Sequence, residues 1–154
     1  MKKLLCALSI VFALSACSTG SSNTATKIEY GSGTAVRDAT GWTYYINNTA
    51  TNVHPYQFDN GPDYFTEGLA RFESDGKMGF FDTKGTVVIP ATYDFASAFC
   101  SGIANVCIGC TQVHDGDHTS MNGGLWGHID RKGKIVTPVK SSKDSLREVR
   151  KEAC

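Results

Sequence analysis

Apolar and polar residues alternate over residues 69–73, which is the pattern of a half-buried β-strand. Two further apolar runs follow at residues 78–81 and 86–89, the second of them rich in β-branched side chains and ended by Pro90. The segments between the runs contain Asp and Gly at the places that tight turns require. The pattern therefore predicts an antiparallel meander of three short strands that stops at Pro90.

The sequence pattern of this meander recurs along the chain. Residues 76–90 and 124–138 share Gly, Asp, Lys, Val and Pro at the same relative places, and residues 65–72 match residues 99–106. Because one meander cannot bury its apolar face alone, the repetition predicts units that stack on one another. An Asp or Asn eight positions before a Pro marks three units: Asn47 with Pro55, Asp82 with Pro90, and Asp130 with Pro138.

The marks are 35 and then 48 residues apart, so the third unit has roughly 14 additional residues within residues 107–123. The first unit lacks the Gly-rich turns and is expected to be a degenerate edge unit, with residues 27–34 as a short leading strand. We therefore predict an all-β domain over residues 27–140. Its tandem three-stranded antiparallel meanders form either a solenoid-like stack or a curled sheet.

Gly79 and Gly127 fall inside predicted strands, where a glycine often marks the close approach of another part of the chain. We expect an aromatic side chain from a neighbouring strand or unit to lie across each bare patch. The aromatic residues expected there are Tyr93 or Phe99 in one unit and Phe65 in another.

The first 16 residues have the form of a secretion signal. A basic pair precedes an apolar run over residues 4–14, which is shorter than the about 20 residues that span a bilayer. The sequence Leu-Ser-Ala-Cys that ends at Cys17 resembles a bacterial lipobox. That resemblance implies removal of residues 1–16 and acylation of Cys17, and two or more acyl chains hold a protein stably on a membrane.

Residues 17–26 are mostly Ser, Thr and Gly, and are expected to be a flexible tether between the lipid anchor and the domain. The resemblance to bacterial lipoproteins also implies, from Ser18 after Cys17, an anchor in the outer membrane with the protein facing the periplasm. The chain has 15 basic and 15 acidic residues, and loss of Lys2 and Lys3 with the signal would leave a net charge of −2. This balance gives no reason to expect a nucleic acid partner.

Of six cysteines, Cys6 leaves with the signal and Cys17 takes the lipid, so four remain. Exported proteins oxidise their thiols, which favours disulfide bonds among these four. We expect a Cys107–Cys110 bond at the base of the long hairpin of the third unit, and a Cys100–Cys154 bond that fastens the C-terminal segment. The alternative for Cys154 is a free thiol or a bond between chains.

Two other interpretations of the cysteine loop stay open. Cys107, Cys110, His114 and His118 are four ligands that suit zinc, although they span only 12 residues. A redox role for the C-x-x-C pair would require a helix N-terminus that lowers a thiol pKa, and none is predicted there.

The C-terminal segment, residues 141–154, contains no Gly or Pro. Leu146, Val149 and Ala153 fall on one helical stripe, and Ser142 is suited to the N-cap position. The segment is expected to be a short amphipathic helix that caps the last unit.

The stretch EGLARFESDGKMGFFDTKGTVVIPATYDFASAF, followed by SGIANV and GGLWGHIDRKGKIVTPV, resembles the bacterial WG-repeat family. Three features depart from the family pattern: Met78 replaces the Trp, Phe80 or His128 replaces the Tyr, and Trp42 of the first unit is out of register. The resemblance implies a β-rich tandem repeat, and it implies no catalytic residues and no cofactor. The positions that match as structural residues are Gly79, Asp82, Gly85, Pro90, Trp126, Gly127, Asp130, Gly133 and Pro138.

The chain has no G-x-S-x-G elbow, no H-E-x-x-H pair and no phosphate-binding loop. The expected function is therefore that of a non-catalytic envelope lipoprotein whose repeat surface binds a protein or a glycan. Tyr56, Phe58 and Tyr64 are candidate contact residues on that surface. The alternative is a metal-binding or redox protein that uses the cysteine loop.

Overall fold

The structure, a computed structural model, describes residues 25–116 and 118–141. The regular elements within these residues are all β-strands, and no helix long and apolar enough to cross a membrane occurs among them. The strands are β1 Thr26–Tyr30, β2 Gly33–Asp38, β3 Gly41–Ile46, β4 Thr49–Ala50, β5 Gln57–Phe58, β6 Gly61–Pro62, β7 Leu69–Ser74, β8 Lys77–Asp82, β9 Val87–Tyr93, β10 Phe95–Ala96, β11 Ile103–Asp115, β12 His118–Asp130 and β13 Ile135–Ser141.

The strands form separate antiparallel sheets, each with sequence neighbours side by side. The first sheet is β1-β2-β3-β4, the second is β7-β8-β9 and the third is β10-β11-β12-β13, while β5 and β6 make a small hairpin. The predicted all-β class and the meander of each unit are confirmed. The chain forms several small sheets rather than one curled sheet.

The second sheet lies between the other two, because its two faces belong to different apolar cores. Ala70, Phe72 and Phe81 pack with residues of the first sheet such as Tyr44. Leu69, Met78, Phe80 and Ile89 pack with Ala96, Ala104, Val106 and Ile129 of the third sheet. Burial on both faces explains why β8 is a continuous apolar run instead of an alternating one. The units therefore stabilise one another, as the repetition predicted.

The turn after β8 recurs after β12 with the same hydrogen bonds. The Asp82 carbonyl accepts from the Gly85 N–H at 2.9 Å, and the Asp130 carbonyl accepts from the Gly133 N–H at 2.9 Å. Each Asp carboxylate also accepts from two backbone N–H groups of its own turn, at 2.9 Å in all four cases. These bonds, that from Lys134 above all, hold the pKa of Asp130 below its ordinary value. The predicted turns are confirmed.

The predicted strand end at Pro90 is wrong. β9 runs through Pro90 to Tyr93, and β13 runs through Pro138 to Ser141. In the second and third units one glycine of the central strand lies opposite three residues of the last strand, the first of which is the Pro, so the Pro lies in a bulge. A proline is tolerated at a bulge because the ladder requires no N–H there.

The bulge brings the last strand across the central glycine. A Cβ added to Gly79 would lie 2.5 Å from the Ile89 carbonyl oxygen and 2.7 Å from the Phe72 ring. A Cβ added to Gly127 would lie 2.6 Å from the Thr137 oxygen and 2.9 Å from Val139. The predicted close approach is confirmed, but Tyr93, Phe99 and Phe65 are not the side chains that make it. In both units the nearest obstacle is the backbone of the last strand.

The first unit follows the same plan more closely than its sequence indicated. The hairpin of β2 and β3 pairs Asp38 with Gly41, as the hairpin of β7 and β8 pairs Ser74 with Lys77. Counting from these closing pairs, Trp42 occupies the place of Met78, so the inference that Trp42 is out of register is wrong. The turn after β3 does differ, because Asn47 and Asn48 have φ of 50° and 62° and close a two-residue hairpin. Residues 27–34, predicted as one short leading strand, instead belong to two strands, β1 and the start of β2.

The signal at residues 1–16, Cys17 and most of the tether lie outside the described residues. The tether ends earlier than predicted, because Thr26 already belongs to β1. The predicted C-terminal helix also lies outside the described residues, apart from Ser141, which ends β13.

Candidate functional site: an aromatic surface and a disulfide-closed ribbon

The hairpin of β5 and β6 presents aromatic rings to solvent. Tyr64 is 66% exposed and Phe58 is 47% exposed, and their ring centroids lie 6.3 Å apart. Tyr56 is half-buried beside them. Large exposed aromatic rings that lie together are a frequent feature of binding surfaces. We call Tyr56, Phe58 and Tyr64 the aromatic surface.

A buried ion pair holds this hairpin against the second sheet. Arg71 is 7% exposed and Asp63 is 2% exposed. The Arg71 guanidinium donates to Asp63 through Nη2 at 2.6 Å and through Nε at 2.9 Å, and the Arg71 backbone N–H donates to the same carboxylate at 2.9 Å. Because both carboxylate oxygens are engaged by a planar fork of donors, the pair fixes orientation as well as distance.

The Arg71 guanidinium also contacts two rings of the aromatic surface and a residue of the third sheet. Its carbon atom lies 5.0 Å from the Tyr56 ring centroid and 5.4 Å from that of Phe58. Arg71 Nη1 donates to the Ala96 carbonyl of the third sheet at 3.1 Å. Cation–π contact and ion pairing thus place two rings of the aromatic surface on one rigid support.

Tyr30 of the first sheet supports the hairpin from the other side. Its hydroxyl donates to the backbone carbonyl of Asp63, and burial, followed by the nearby Asp63 charge, raises the pKa of Tyr30. A tyrosine hydroxyl is already protonated at neutral pH, and the raised pKa keeps it a donor in alkaline solution as well. The position of the hairpin therefore depends on all three units.

A polar cleft of about 560 Å³ adjoins the aromatic surface at Tyr56. Its other walls include His54, Gln57 and Glu73. Trp42 also lines it, and the buried indole N–H of Trp42 has no acceptor among the described residues. The cleft combines aromatic rings with hydrogen-bonding side chains, the combination by which a protein orients a polar ligand.

The third unit departs from the others by a long ribbon. β11 and β12 are each 13 residues long and pair from Ile103 with Asp130 to Asp115 with His118. The hairpin from Leu69 to Asp82 covers 14 residues fewer than the hairpin from Ile103 to Asp130. The predicted insertion within residues 107–123 is therefore confirmed as an extension of one hairpin.

A disulfide bond joins Cys107 and Cys110 at the base of the ribbon, as predicted. The bond spans Gly109, which has φ of 76°, without a change in the register of β11 and β12, and it packs against Trp126. A Cβ added to Gly124 would lie 2.7 Å from the Cys107 sulfur, so the facing strand has a glycine where the bond requires space.

Asp94 connects this base to the second sheet. Its carboxylate accepts from the Gly109 N–H at 2.7 Å and from Lys77 Nζ at 2.5 Å. The hydrogen bond from Lys77, followed by that from Gly109, lowers the pKa of Asp94. The ribbon base is thus fixed by one covalent bond and one carboxylate.

Part of the chain is similar to a known family of repeats. The family model described as "WG containing repeat" matches the chain twice, at residues 45–77 and 78–109. Residues 45–109 are therefore similar to two successive WG repeats. No curated protein and no solved structure matches the chain.

The aromatic surface, Asp63 and Arg71 all belong to the first matched WG repeat, and Cys107 lies near the end of the second. The third meander begins within the second match and continues beyond it, and its Asp130 turn and its bulge at Pro138 have the geometry of the unit before it. The structural residues predicted from the WG pattern thus form the turns, bulges and glycine contacts of the stack. They do not converge on a common site.

The structure does not bring together three of the four predicted metal ligands, Cys107, Cys110 and His114, and the side chain of His118 lies outside what it describes. Cys107 and Cys110 are bonded to each other, and His114 lies four residues further along β11, about 13 Å at the rise of a strand. The described residues contain no group of three or more His, Cys, Asp or Glu able to hold a metal ion. Cys100 is also disulfide-bonded, while Cys154, its predicted partner, lies outside the described residues.

Sequence reasoning missed Asp63 and Arg71. The signal lay in the repeat itself, because Asn105 and Ser97 occupy the equivalent places in the next WG repeat. There the Asn105 N–H donates to the Ser97 hydroxyl at 2.9 Å, as the Arg71 N–H donates to Asp63. A pair of polar positions that recurs within apolar strands indicates a contact between them.

Loss of the ribbon disulfide is expected to have a moderate effect. Replacing both Cys107 and Cys110 with Ser should lower the free energy of unfolding by about 2 kcal/mol, because the closed loop is short. Chemical unfolding followed by tryptophan fluorescence will measure it. The single variants should lose as much as the double variant, since one bond is broken in each case. A double variant as stable as the parent would contradict a stabilising role.

Proposed function

We propose that the protein is a non-catalytic interaction module of the bacterial cell envelope, which binds a protein or a glycan through the aromatic surface. The observation that supports this most directly is the exposure of Phe58 and Tyr64 on a hairpin held by the buried Asp63–Arg71 pair. Exposed rings on a rigid support bind at a low cost in conformational entropy. The cleft beside Tyr56 adds hydrogen-bonding groups that would orient the ligand.

Photo-crosslinking in cells tests this proposal. A benzophenone amino acid at position 64 should form an adduct with the partner, whereas the same group at position 135 should not. Ile135 is the control because it is 55% exposed and belongs to the third sheet, whereas the aromatic surface belongs to the hairpin of β5 and β6 and its flanks. Protease or glycosidase treatment of the adduct distinguishes a protein partner from a glycan. No adduct at position 64, or equal adducts at both positions, would contradict the proposal.

We further propose that the protein is exported and anchored by acylation of Cys17, with the domain facing the periplasm from the outer membrane. This rests on the basic pair, the short apolar run and the lipobox-like end of residues 1–17. Metabolic labelling with a palmitate analogue should mark the chain, and a Cys17→Ser variant should lose the label. Equal labelling of the variant would contradict the anchor.

The metal-binding and redox alternative is not favoured by any contact in the described residues. The thiols of Cys107 and Cys110 are joined, and Cys107 is fully buried against Trp126. A redox pair that exchanges with substrates needs an accessible, activated thiol.

A further inference from the structure

The part of the ribbon beyond the disulfide stands clear of the rest of the described chain. Residues 111–116 are all exposed, although they belong to a regular strand and its turn. β10 pairs with β11 only at Val106 and Cys107, and beyond these the Asp94 carboxylate takes the Gly109 N–H. From Cys110 to Asp115, the outer edge of β11 has no strand partner within the residues that the structure describes. We call this segment the free edge.

The register of the hairpin shows which backbone groups point outward from the free edge. Asp115 pairs with His118 across a two-residue connection, and the closing pair of such a hairpin exchanges both of its hydrogen bonds. From this closing pair back to Thr111, pairs alternate between bonded and non-bonded, so Gln112 and His114 belong to non-bonded pairs. Their N–H and C=O groups therefore point away from β12 and are available to another strand. The left-handed Gly109, Gly123 and Gly124 interrupt the alternation at the base of the ribbon, where the Gly109 N–H points outward to Asp94.

The free edge lacks the protection that the outer strands β1 and β13 have. Lys27 and Glu29 lie along β1, and Pro138 and Lys140 lie along β13. Residues 107–129, by contrast, contain no Lys, Arg, Glu or Pro. Charged side chains and prolines on edge strands are the usual means by which proteins prevent pairing between molecules. Their absence along a long, regular and exposed strand leaves this edge able to pair with another strand.

We propose that the free edge pairs with the free edge of a second copy of this chain, antiparallel about Val113. In that register Gln112 of each copy faces His114 of the other, and each such pair exchanges two backbone hydrogen bonds. Val113, which is 40% exposed, faces Val113 of the other copy in a close non-bonded pair. Asp115 faces Thr111, so no two carboxylates are opposed. The segment is therefore complementary to itself in hydrogen bonding, shape and charge.

Sedimentation velocity of the purified chain over a range of concentrations tests the proposal. A reversible monomer–dimer equilibrium is expected. The Gln112→Pro variant should remain monomeric, because proline removes an outward N–H while the bonds to β12 are retained. The Gln112→Thr variant is the matched control, since it keeps the N–H and should dimerise like the parent. A parent chain that is monomeric at every concentration, or a Gln112→Pro variant that dimerises equally well, would overturn the proposal.

Hydrogen exchange of the unaltered chain provides a second measurement that does not depend on a variant that folds. The amides of Gln112 and His114 should exchange more slowly as the protein concentration rises. The amide of Val113 is bonded within the hairpin and serves as the internal reference. Exchange at Gln112 and His114 that does not change with concentration would overturn pairing through this edge, even if a dimer forms. The aromatic surface takes no part in this test, so its outcome is independent of the proposed function.

Discussion

Replacing Arg71 with Met is expected to lower the free energy of unfolding by about 3–5 kcal/mol. The guanidinium is the charged partner of Asp63, and Asp63 is 2% exposed, so the variant leaves a carboxylate buried without its counter-charge. Met is chosen because it keeps the apolar length of the side chain beneath Tyr56. Urea unfolding followed by circular dichroism measures the loss, and the same samples can be compared for exposure of the aromatic surface.

The next WG repeat provides the control for this experiment. The double variant Asp63→Ser with Arg71→Asn installs the pair that Ser97 and Asn105 form, with the hydroxyl accepting from the backbone N–H at 2.9 Å. Removing both charges together avoids the unpaired carboxylate, so the double variant should be clearly more stable than Arg71→Met. If the two variants were equally unstable, the loss would come from packing around Arg71 and not from the buried charge.

The aromatic surface gives the ion pair a role besides stability. A surface hairpin of two-residue strands has little means of holding its own conformation. The guanidinium of Arg71 contacts Tyr56 and Phe58 from below and also bonds to Ala96 of the next unit. A hydrophobic residue at position 71 would fill space without fixing the rings. The double variant should therefore fold, yet bind a partner more weakly than the parent.

The local features of this fold were predictable because they are set by neighbouring residues. In the Asp-x-x-Gly turns at Asp82 and Asp130, the Asp carboxylate accepts hydrogen bonds from backbone N–H groups within the same five residues. The local sequence alone therefore specifies these turns. The strands on either side follow from apolar runs between such turns. The 14-residue insertion was visible as a change in repeat spacing, and its hairpin form followed from continuing the two strands that it interrupts.

The features that could not be predicted depend on how the strands pair and on which segments of the chain come into contact. The strand that continues through Pro90 is compatible with a proline only because a bulge forms opposite Gly79, and the bulge is a product of pairing. The obstacle over Gly79 is likewise a backbone that arrives from elsewhere in the chain. In the alternating pattern of β7, Arg71 occupies a polar position that is ordinarily exposed. It is buried because the hairpin of β5 and β6 folds over it.

For the same reason the aromatic surface was predicted as residues but not as a site. Tyr56, Phe58 and Tyr64 are close in sequence, and their aromatic character alone made them candidates. Their common support, Arg71, follows them in the chain and acts through three-dimensional contacts. The cleft is assembled from turns of two different units, at Thr40 and at Asp75, which are distant in sequence. No spacing rule within one unit reveals it.

Replacing Gly79 with Ala is expected to lower the free energy of unfolding by about 2–4 kcal/mol, and Gly127→Ala by a similar amount. An added Cβ at position 79 would lie 2.5 Å from the Ile89 oxygen and 2.7 Å from the Ala91 nitrogen. Both obstacles are backbone atoms, which cannot rotate away as a flexible side chain does, so β9 would have to leave the bulge. Thermal or urea unfolding measures the change.

Gly61→Ala is the matched control, because Gly61 also lies in a strand and an added Cβ there meets nothing within 4 Å. Its effect should stay within about 0.5 kcal/mol of the parent. If Gly79→Ala were as mild as the control, the glycine would not be required by the close crossing, and the repeated glycine of the WG pattern would need a different explanation.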